Sequence, residues 1–314
     1  MGSSQTESRQ LPTFIVIGAM KAGTTSLYHY LREHPQIFMP KEKELDFFAV
    51  DTTWRRGIDW YAERFAAAGE DAIARGEAST AYTKYPHYPH VPERIARVIP
   101  ECQLIYVVRN PVDRIVSHYR HRVAVGAERL PLERAVGENP IYLDYSRYAL
   151  QIDRYLQVFA REQLLVVESE RLRVDRAATM QRIYGFLGVR TDVLPPSLDN
   201  EYYRTVGRRT YPPVVWKIRR AVRRSVPSAK RAKEFVDSIG RRDQRSASAA
   251  GSTASAERTD APPSLIAFVR KSLDEDLERL REHLGPDFDG WQLPGADASP
   301  TDARTPRPLP SVGA

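Results

Sequence analysis

Short apolar runs recur along the first two thirds of the chain. TFIVIGA at residues 13–19 is rich in β-branched residues, and QLIYVV at 103–108 and QLLVVESERL at 163–172 follow it. Continuous apolar runs of this length are typical of strands that are buried on both faces of a parallel sheet. The pattern therefore predicts a strand in each run.

Stretches with helical spacing lie between these runs and after them. One extends over residues 24–35 and ends at Pro35, and another begins at Pro111. Three more helices are predicted from YALQIDRYLQVFA (148–160), RAATMQRIYGFLGV (176–189, with Gly188 as C-cap) and SLIAFVRKSLDEDLERLREHLG (264–285). Strands that alternate with helices predict an α/β fold with a central parallel sheet flanked by helices.

The remaining segments suggest the domain organisation. We predict a disordered tail at 1–11, a single domain at 12–294 with a flexible insertion at about 240–263, and a second disordered tail at 295–314. No apolar run approaches the roughly 20 residues that cross a bilayer. Because there is no signal-peptide pattern and Cys102 is the only cysteine, we expect a cytoplasmic protein without an intrachain disulfide.

Charge adds a preference for anionic partners. The chain has a net charge of +7 at pH 7, which suits a nucleotide, a nucleic acid or a membrane surface equally well. The segment 216–234 is densely basic. It predicts either a solvated helix or lid, which we favour, or a peripheral contact with an anionic membrane.

The stretch GAMKAGTT at residues 18–25 resembles a nucleotide-binding P-loop with one departure. A Walker A loop has the form G-x-x-x-x-G-K-[ST]. Gly18 and Gly23 have that spacing, but Thr24 occupies the lysine position and Lys21 lies inside the loop. A strand, a glycine turn and a helix N-terminus in this order predict a phosphate site and a P-loop-like three-layer fold.

Several further motifs, in one order, carry a specific resemblance. They follow KAGTTSLYHYLREHPQIF (21–38) and comprise KELDFF (43–48), GIDWYAERF (57–65), GEASTAY (76–82), LIYVVRNPVDRIVSHYRH (104–121), FLGV (186–189) and VGRRTYP (206–212). Together they resemble the sulfotransferases that use 3′-phosphoadenosine 5′-phosphosulfate (PAPS), particularly the glucosaminyl N-sulfotransferases of heparan sulfate. The resemblance covers residues of about 13 to 212.

The resemblance implies that PAPS is the sulfonate donor and that 3′-phosphoadenosine 5′-phosphate (PAP) is the product. No metal site is expected, because the histidines are scattered and there is no cysteine cluster. Arg109 and Ser117 are expected to bind the 3′-phosphate. The 5′ end is expected to be bound by Lys21, Ala22, Gly23, Thr24, Thr25 and Ser26. Gly207, Arg208 and Arg209 are expected to form a basic loop that closes on the nucleotide. Lys21 is also the expected catalytic cation on the departing phosphate.

The resemblance also implies residues on the acceptor side. Glu44 falls on the family's catalytic glutamate and is the expected general base, with Phe47 and Phe48 beside it as a desolvating surface. His121 lies one helical turn after Ser117 and is expected to assist. Ala78 stands where the heparan-sulfate enzymes carry a lysine, so the acceptor is not carried over with the resemblance.

The predicted function is transfer of a sulfonate to a hydroxyl, or less readily an amine, of a carbohydrate, glycolipid or small metabolite. Nucleic acid is not an expected partner, and the sequence does not predict an oligomeric state. Two alternatives stay open. One is a P-loop kinase or NTPase, which requires a lysine before Thr25 and an acidic strand end for Mg²⁺; the other is a membrane-surface binding protein that uses residues 216–234.

Overall fold

Five parallel strands form the sheet at the centre of the fold. The computed structural model describes residues 10–200 and 261–293. The strand order is β2-β3-β1-β4-β5, and each neighbouring pair is parallel. The strands are β1 (Phe14–Gly18), β2 (Ile37–Phe38), β3 (Ala74–Ala78), β4 (Gln103–Val108) and β5 (Leu164–Glu168).

Helices connect and flank these strands, as the alternating sequence pattern predicts. The longer ones are α1 (Thr24–Arg32), α4 (Val91–Val98), α5 (Pro111–Ala124), α6 (Leu132–Glu138), α8 (Tyr148–Leu156), α10 (Arg176–Phe186) and α11 (Pro263–Leu284). The shorter ones are α2 (Asp51–Trp54), α3 (Gly57–Ala62), α7 (Ile141–Asp144) and α9 (Ser169–Val174). Single 3₁₀ turns cover Thr80–Thr83, Arg161–Gln163 and Gly290–Gln292. The predicted α/β fold is thus confirmed.

The strand order determines where a ligand is expected to bind. β1 lies between β3 and β4, and the chain leaves it first toward one side of the sheet and later toward the other. Ligands of open α/β sheets bind beyond the carboxyl ends of the strands at such a reversal. Three segments meet at this edge: the loop after β1, the turn after β3 and the residues after β4.

Two details of the sheet differ from the sequence expectation. The apolar run at 163–172 is strand only as far as Glu168, and α9 begins at Ser169. The charged residues ESER end the apolar run there, and the polar half of the run is helical. The two-residue strand β2 follows α1 and has no sequence signal of its own, because its pairing with Ala74 and Arg75 of β3 defines it.

The C-terminal helix α11 packs on the sheet domain through an apolar stripe. Leu265, Val269 and Leu273 are buried along it, with Leu277 and Leu280 further on. Asp276, also buried, accepts hydrogen bonds from the backbone N–H groups of Ala149 and Leu150 at 3.1 and 2.9 Å. The carboxylate thus caps the first turn of α8, where N–H groups have no partner within the helix.

Several sequence predictions concern residues outside the described ranges. These are residues 1–9 of the tail predicted at 1–11, the tail at 295–314, the insertion at about 240–263 as far as residue 260, the basic segment 216–234, and Gly207, Arg208 and Arg209. Within the described ranges, none of the helices combines the length and the apolar composition that crossing a membrane requires.

Candidate active site

The loop after β1 is built around two glycines. At Gly18 a Cβ atom would lie 2.0 Å from Thr83 Oγ1, so a side chain there has no room. Gly23 has φ 93° at the N-cap of α1, a conformation that glycine adopts without steric cost. Lys21 between them has φ 72° and is part-exposed. The loop therefore turns tightly and brings α1 directly behind β1.

The first turn of α1 faces the same edge of the sheet. Thr24 is buried, whereas Thr25 and Ser26 are part-exposed. The backbone N–H groups of a first helical turn have no acceptor within the helix, and the helix dipole is positive there. No acidic residue lies in this first turn. The residues predicted to bind the 5′ end, from Lys21 to Ser26, thus form one contiguous segment whose backbone donors and charge suit an anion.

Arg109 connects the end of β4 to this loop. Its guanidinium donates from Nη1 to the Lys21 carbonyl oxygen at 3.1 Å, and Nη2 lies 3.6 Å from Asp113 Oδ2. Its own carbonyl accepts a hydrogen bond from the Tyr148 hydroxyl at 2.8 Å. Arg109 thus forms an ion pair at the end of the strand and also lies against the loop that is predicted to bind phosphate.

Helix α5 continues the donor side. Asn110 caps it, accepting at Oδ1 from the N–H groups of Val112 and Asp113 at 3.0 and 3.3 Å. Ser117 is buried two turns later, and His121 is part-exposed on the following turn. The spacing prediction that places these two side chains on one helix face is confirmed by the continuous helix.

Glu44 is fixed against the turn that follows β3. Its Oε2 accepts hydrogen bonds from the Thr80 N–H at 2.8 Å and from the Thr80 hydroxyl at 3.0 Å. Its backbone N–H donates to the Ala78 carbonyl at 3.0 Å, and Lys43 donates to its other carboxylate oxygen. The side chain is 37% exposed, so Glu44 is more accessible than the neighbouring phenylalanines suggest.

A buried carboxylate underlies this turn. Glu77 accepts from the Tyr61 and Tyr82 hydroxyls at 2.7 Å each and from the Ser79 hydroxyl at 2.9 Å. Ser79 in turn accepts from the Asp46 N–H at 3.1 Å. Burial raises the pKa of Glu77 to about 7, although the three hydrogen bonds oppose that rise. The network links β3 to the backbone of the Glu44 loop.

Asp46 is the second carboxyl group of the loop. Burial, reinforced by the Glu44 charge, raises the pKa of Asp46 to about 6, while Lys84 and Lys43 act in the opposite direction. Its Oδ1 atom is buried and has no hydrogen-bond partner among the described residues. Glu44 and Asp46 have φ values of 62° and 52°. Left-handed backbone at side-chain-bearing residues costs energy and concentrates at functional sites.

Two histidines differ in role from His121. His118 is buried and stacks on Tyr145 with ring centroids 5.8 Å apart. Burial, with Arg114 and Arg122 nearby, lowers the pKa of His118 to about 2, so this ring stays neutral. His29 packs edge-on against Tyr28. Both rings thus pack against aromatic neighbours.

Sequence reasoning missed four polar residues of this region. They are Asp46, Glu77, Ser79 and Lys84, and each depends on contacts with residues far away in the chain. One signal was available: Glu77 is a carboxyl group between Gly76 and Ala78, at the penultimate position of β3. Charged residues are almost never fully buried unless they are paired.

Comparison with known proteins gives a consistent result. The family model described as "Sulfotransferase domain" matches residues 11–206. The chain is 32% identical over 203 residues to the human bifunctional heparan sulfate N-deacetylase/N-sulfotransferase 3, covering 57% of this chain and 22% of that protein. It is 31% identical over 191 residues to the human heparan sulfate glucosamine 3-O-sulfotransferase 6, covering 58% and 54% of the two chains.

A solved structure extends the similarity to nearly the whole chain. The crystal structure of a sulfotransferase from Alicyclobacillus acidocaldarius matches with a TM-score of 0.64 and 25% identity, covering 90% of this chain and 99% of that one. By contrast, the chain spans only about a fifth to a half of the two human relatives. The likeness therefore concerns the domain that contains the phosphate loop.

Proposed function

This chain belongs to the sulfotransferase domain family, and from that premise we propose that it transfers the sulfonate of PAPS to a carbohydrate, glycolipid or small metabolite. One observation carries the proposal: Arg109 at the end of β4 donates a hydrogen bond to the carbonyl of Lys21 in the loop after β1. Two cationic elements on neighbouring strands thus share one edge. A donor with two separated anionic groups requires such an arrangement.

The donor side follows from the loop and the two strands. The N-terminus of α1 and Lys21 are suited to the phosphosulfate, since backbone N–H groups and a mobile ammonium favour a compact anion. Arg109 and Ser117 are suited to the 3′-phosphate, because a guanidinium presents a rigid set of donors to phosphate oxygens. The same cation at the end of β4 argues against an NTPase, which places an acidic side chain for Mg²⁺.

The transfer step is an in-line displacement at sulfur. The acceptor oxygen or nitrogen forms a bond to sulfur while the bond between sulfur and the bridging oxygen breaks, and the leaving phosphate keeps that electron pair. Glu44 takes the proton that the acceptor loses. Lys21 stabilises the negative charge that grows on the leaving phosphate, which lowers the barrier because this charge is larger in the transition state.

The acceptor class is proposed from the relatives. Their names specify an N-sulfotransferase and a glucosamine 3-O-sulfotransferase, both of heparan sulfate. An amine and a hydroxyl of an amino sugar are thus both precedented within the family. For this chain we propose a glycan that presents one of these groups, with a hydroxyl as the first choice. Glu44 can serve as the base for either acceptor group.

The donor assignment is tested by calorimetry with PAP in metal-free buffer. We expect saturable binding without added cation, and we expect ATP with Mg²⁺ to compete poorly. An absence of heat from both PAP and PAPS would contradict the proposed donor. Tight binding only of ATP with Mg²⁺ would instead favour a nucleotide kinase or NTPase.

The acceptor is tested with PAPS that carries ³⁵S in the sulfonate. The panel pairs a glucosamine oligosaccharide having free amines with its N-acetylated form, and adds a glycolipid and a simple phenol. Equal labelling of both oligosaccharides indicates a hydroxyl acceptor, whereas labelling of only the free amine indicates N-sulfation. Labelling of the phenol alone would overturn the glycan proposal while leaving the donor assignment intact.

A further inference from the structure

Lys84 lies at a junction between the two halves of the proposed site. It directly follows the 3₁₀ turn Thr80–Thr83. Thr83 at the end of this turn donates to the Ile17 carbonyl at 3.2 Å and contacts Gly18 of the phosphate loop. Thr80 at its start holds the Glu44 carboxylate. The turn therefore touches both the donor loop and the proposed base.

The backbone at Lys84 is held firmly. Its carbonyl accepts hydrogen bonds from the N–H groups of His87 and Tyr88 at 2.8 and 3.3 Å. The next residue, Tyr85, is bound at both its N–H and its carbonyl by the side-chain amide of Gln151, at 3.2 and 3.1 Å. The direction in which the Lys84 side chain leaves the main chain is thus determined by the fold.

The side chain is mostly enclosed, and its ammonium has unused donors. Lys84 is only part-exposed, and Nζ lies 5.7 Å from the centroid of the Tyr145 ring. Within residues 10–200 and 261–293, no hydrogen bond or ion pair of this ammonium is present. A lysine ammonium can donate three hydrogen bonds. An enclosed cation with free donors is suited to an anionic ligand.

Charges of both signs lie around this ammonium. The carboxyl groups of Glu44 and Asp46 favour its charged form, whereas Arg114 and Lys43 disfavour it. Burial is the largest influence and lowers the pKa of Lys84. Of the four charged neighbours, only Glu44 belongs to the proposed acceptor side as a base. The ammonium therefore lies near the point where the acceptor loses its proton.

We propose that Lys84 is a second cation of the transfer centre and that its ammonium binds a sulfonate oxygen as the group passes to the acceptor. The proposal rests on the proposed function, because it needs a sulfonate between the phosphate loop and Glu44. Position 78, inside the strand end below Glu44, carries a buried alanine without charge. Lys84 reaches the same pair of carboxyl groups from the far end of the turn.

The role is chemically distinct from that of Lys21. Lys21 belongs to the loop that faces the leaving phosphate, so its charge acts on the breaking bond. The charges of Glu44 and Asp46 stabilise the charged form of Lys84, so in this proposal its ammonium acts on the acceptor side, at the sulfonate that PAP lacks. The two lysines are therefore distinguished by ligands that differ only in the sulfonate.

The experiment measures affinities of PAPS and PAP for the full chain with three substitutions. Lys84→Met removes the charge and keeps the length of the side chain, and Lys84→Arg keeps the charge. Lys41→Met is the matched control, because Lys41 is an exposed lysine that precedes the Glu44 loop. Isothermal calorimetry at neutral pH gives both dissociation constants, and thermal unfolding reports whether each variant is folded.

We expect Lys84→Met to weaken PAPS binding about tenfold, the loss of one charge-assisted hydrogen bond. PAP affinity should stay within about twofold, Lys84→Arg should recover most of the PAPS affinity, and Lys41→Met should match the wild type. Equal losses for PAPS and PAP, or no loss for either, would overturn the role of Lys84. If the wild type binds neither PAPS nor PAP, the proposed function itself fails. That result differs from a failure of the Lys84 role alone, in which the wild type still binds both.

Discussion

Lys21 presents its ammonium from a backbone conformation that residues with side chains seldom adopt. Its φ is 72°, and left-handed backbone costs a residue other than glycine about 1–2 kcal/mol. This strained lysine lies in the turn that connects β1 to α1. Function and stability are therefore opposed at this residue, and substitutions can separate them.

We expect Lys21→Ala and Lys21→Gly to lose nearly all sulfonate transfer, about 100-fold or more, since one transition-state donor contributes roughly 3–4 kcal/mol. The free energy of unfolding of Lys21→Gly should exceed that of Lys21→Ala by about 1 kcal/mol, because glycine adopts the positive φ freely. Urea unfolding and a ³⁵S assay provide the two readouts. Equal stability of the pair would contradict the strain at this residue.

Glu44 is held by hydrogen bonds that leave its carboxyl group partly exposed. Glu44→Gln preserves the shape and the acceptor oxygen for Thr80 but cannot take a proton. We expect turnover to fall about 100-fold or more with unchanged PAP affinity, since general-base catalysis contributes roughly 10²–10⁴-fold. Glu42→Gln in the same loop is the matched control, as Glu42 is exposed. Near-normal turnover would redirect the assignment to His121.

We expect Arg109 to act on ground-state binding of the donor rather than on the transfer step. Arg109→Ala removes both the predicted 3′-phosphate contact and the hydrogen bond to Lys21, so we expect PAP affinity to fall about tenfold or more. Arg109→Lys keeps the charge but not the forked geometry of the guanidinium. Its PAP affinity should lie between that of the wild type and that of Arg109→Ala. If adenosine 5′-phosphate, which lacks the 3′-phosphate, loses as much affinity as PAP, the 3′-phosphate assignment is wrong.

At the scale of elements, local sequence determined the central strands and the phosphate loop. β1, β4 and α1 have strong periodicity and clear ends, so their bounds agree with prediction within a residue or a few. β2 was not predictable, because two residues form a strand only where β3 pairs with them. The acceptor side was predictable only in part: Glu44 lies in a recognisable motif, whereas Asp46 and Lys84 acquire their environment from tertiary contacts.

The end of β3 carries the buried carboxyl group of Glu77, and from it we expect a stability that depends on pH. The pKa of Glu77 rises from its ordinary 4.5 to about 7 on folding, so the folded state binds more protons than the unfolded state between these values. Stability contributed by this group is present below about pH 4.5 and is lost as pH rises through about 7. A shift of this size corresponds to roughly 3 kcal/mol.

We therefore expect Glu77→Gln to flatten the decline in unfolding free energy between pH 5 and 8 in urea titrations. The raised pKa of Asp46, to about 6, adds a smaller decline of the same sign. Asp46→Asn is the comparison that isolates it. A variant at position 77 with the same pH slope as the wild type would show that this carboxyl group does not titrate in that interval.

At the scale of the molecule, the C-terminal segment supports the donor site from outside the central sheet. Trp291 donates from Nε1 to Glu170 at 3.1 Å, and Glu170 accepts the N–H of Asn110 at 3.0 Å, next to Arg109. Asp276 of α11 caps the helix that carries Tyr148, whose hydroxyl holds the Arg109 carbonyl. Residues more than a hundred positions away thus fix the end of β4.

This connection predicts that α11 is required for folding and that one of its side chains affects the donor site. Asp276→Ala leaves two N–H groups of α8 without a partner and should cost about 1–2 kcal/mol. Asp276→Ala should also weaken PAP binding slightly, because Tyr148, which holds the Arg109 carbonyl, begins α8. Asp274→Ala is the control on the same helix, since Asp274 is exposed.

A chain that ends at residue 262 should lose much more. It leaves uncovered the surface on which Leu265, Val269, Leu273, Leu277 and Leu280 pack. Burial of each such side chain contributes about 1.5–3 kcal/mol, and the sum is comparable with the total stability of a typical domain, about 5–15 kcal/mol. We therefore expect this truncation to show no cooperative unfolding transition and no PAP binding, whereas Asp276→Ala retains both. A truncated chain that unfolds cooperatively would show that residues 1–262 fold without α11.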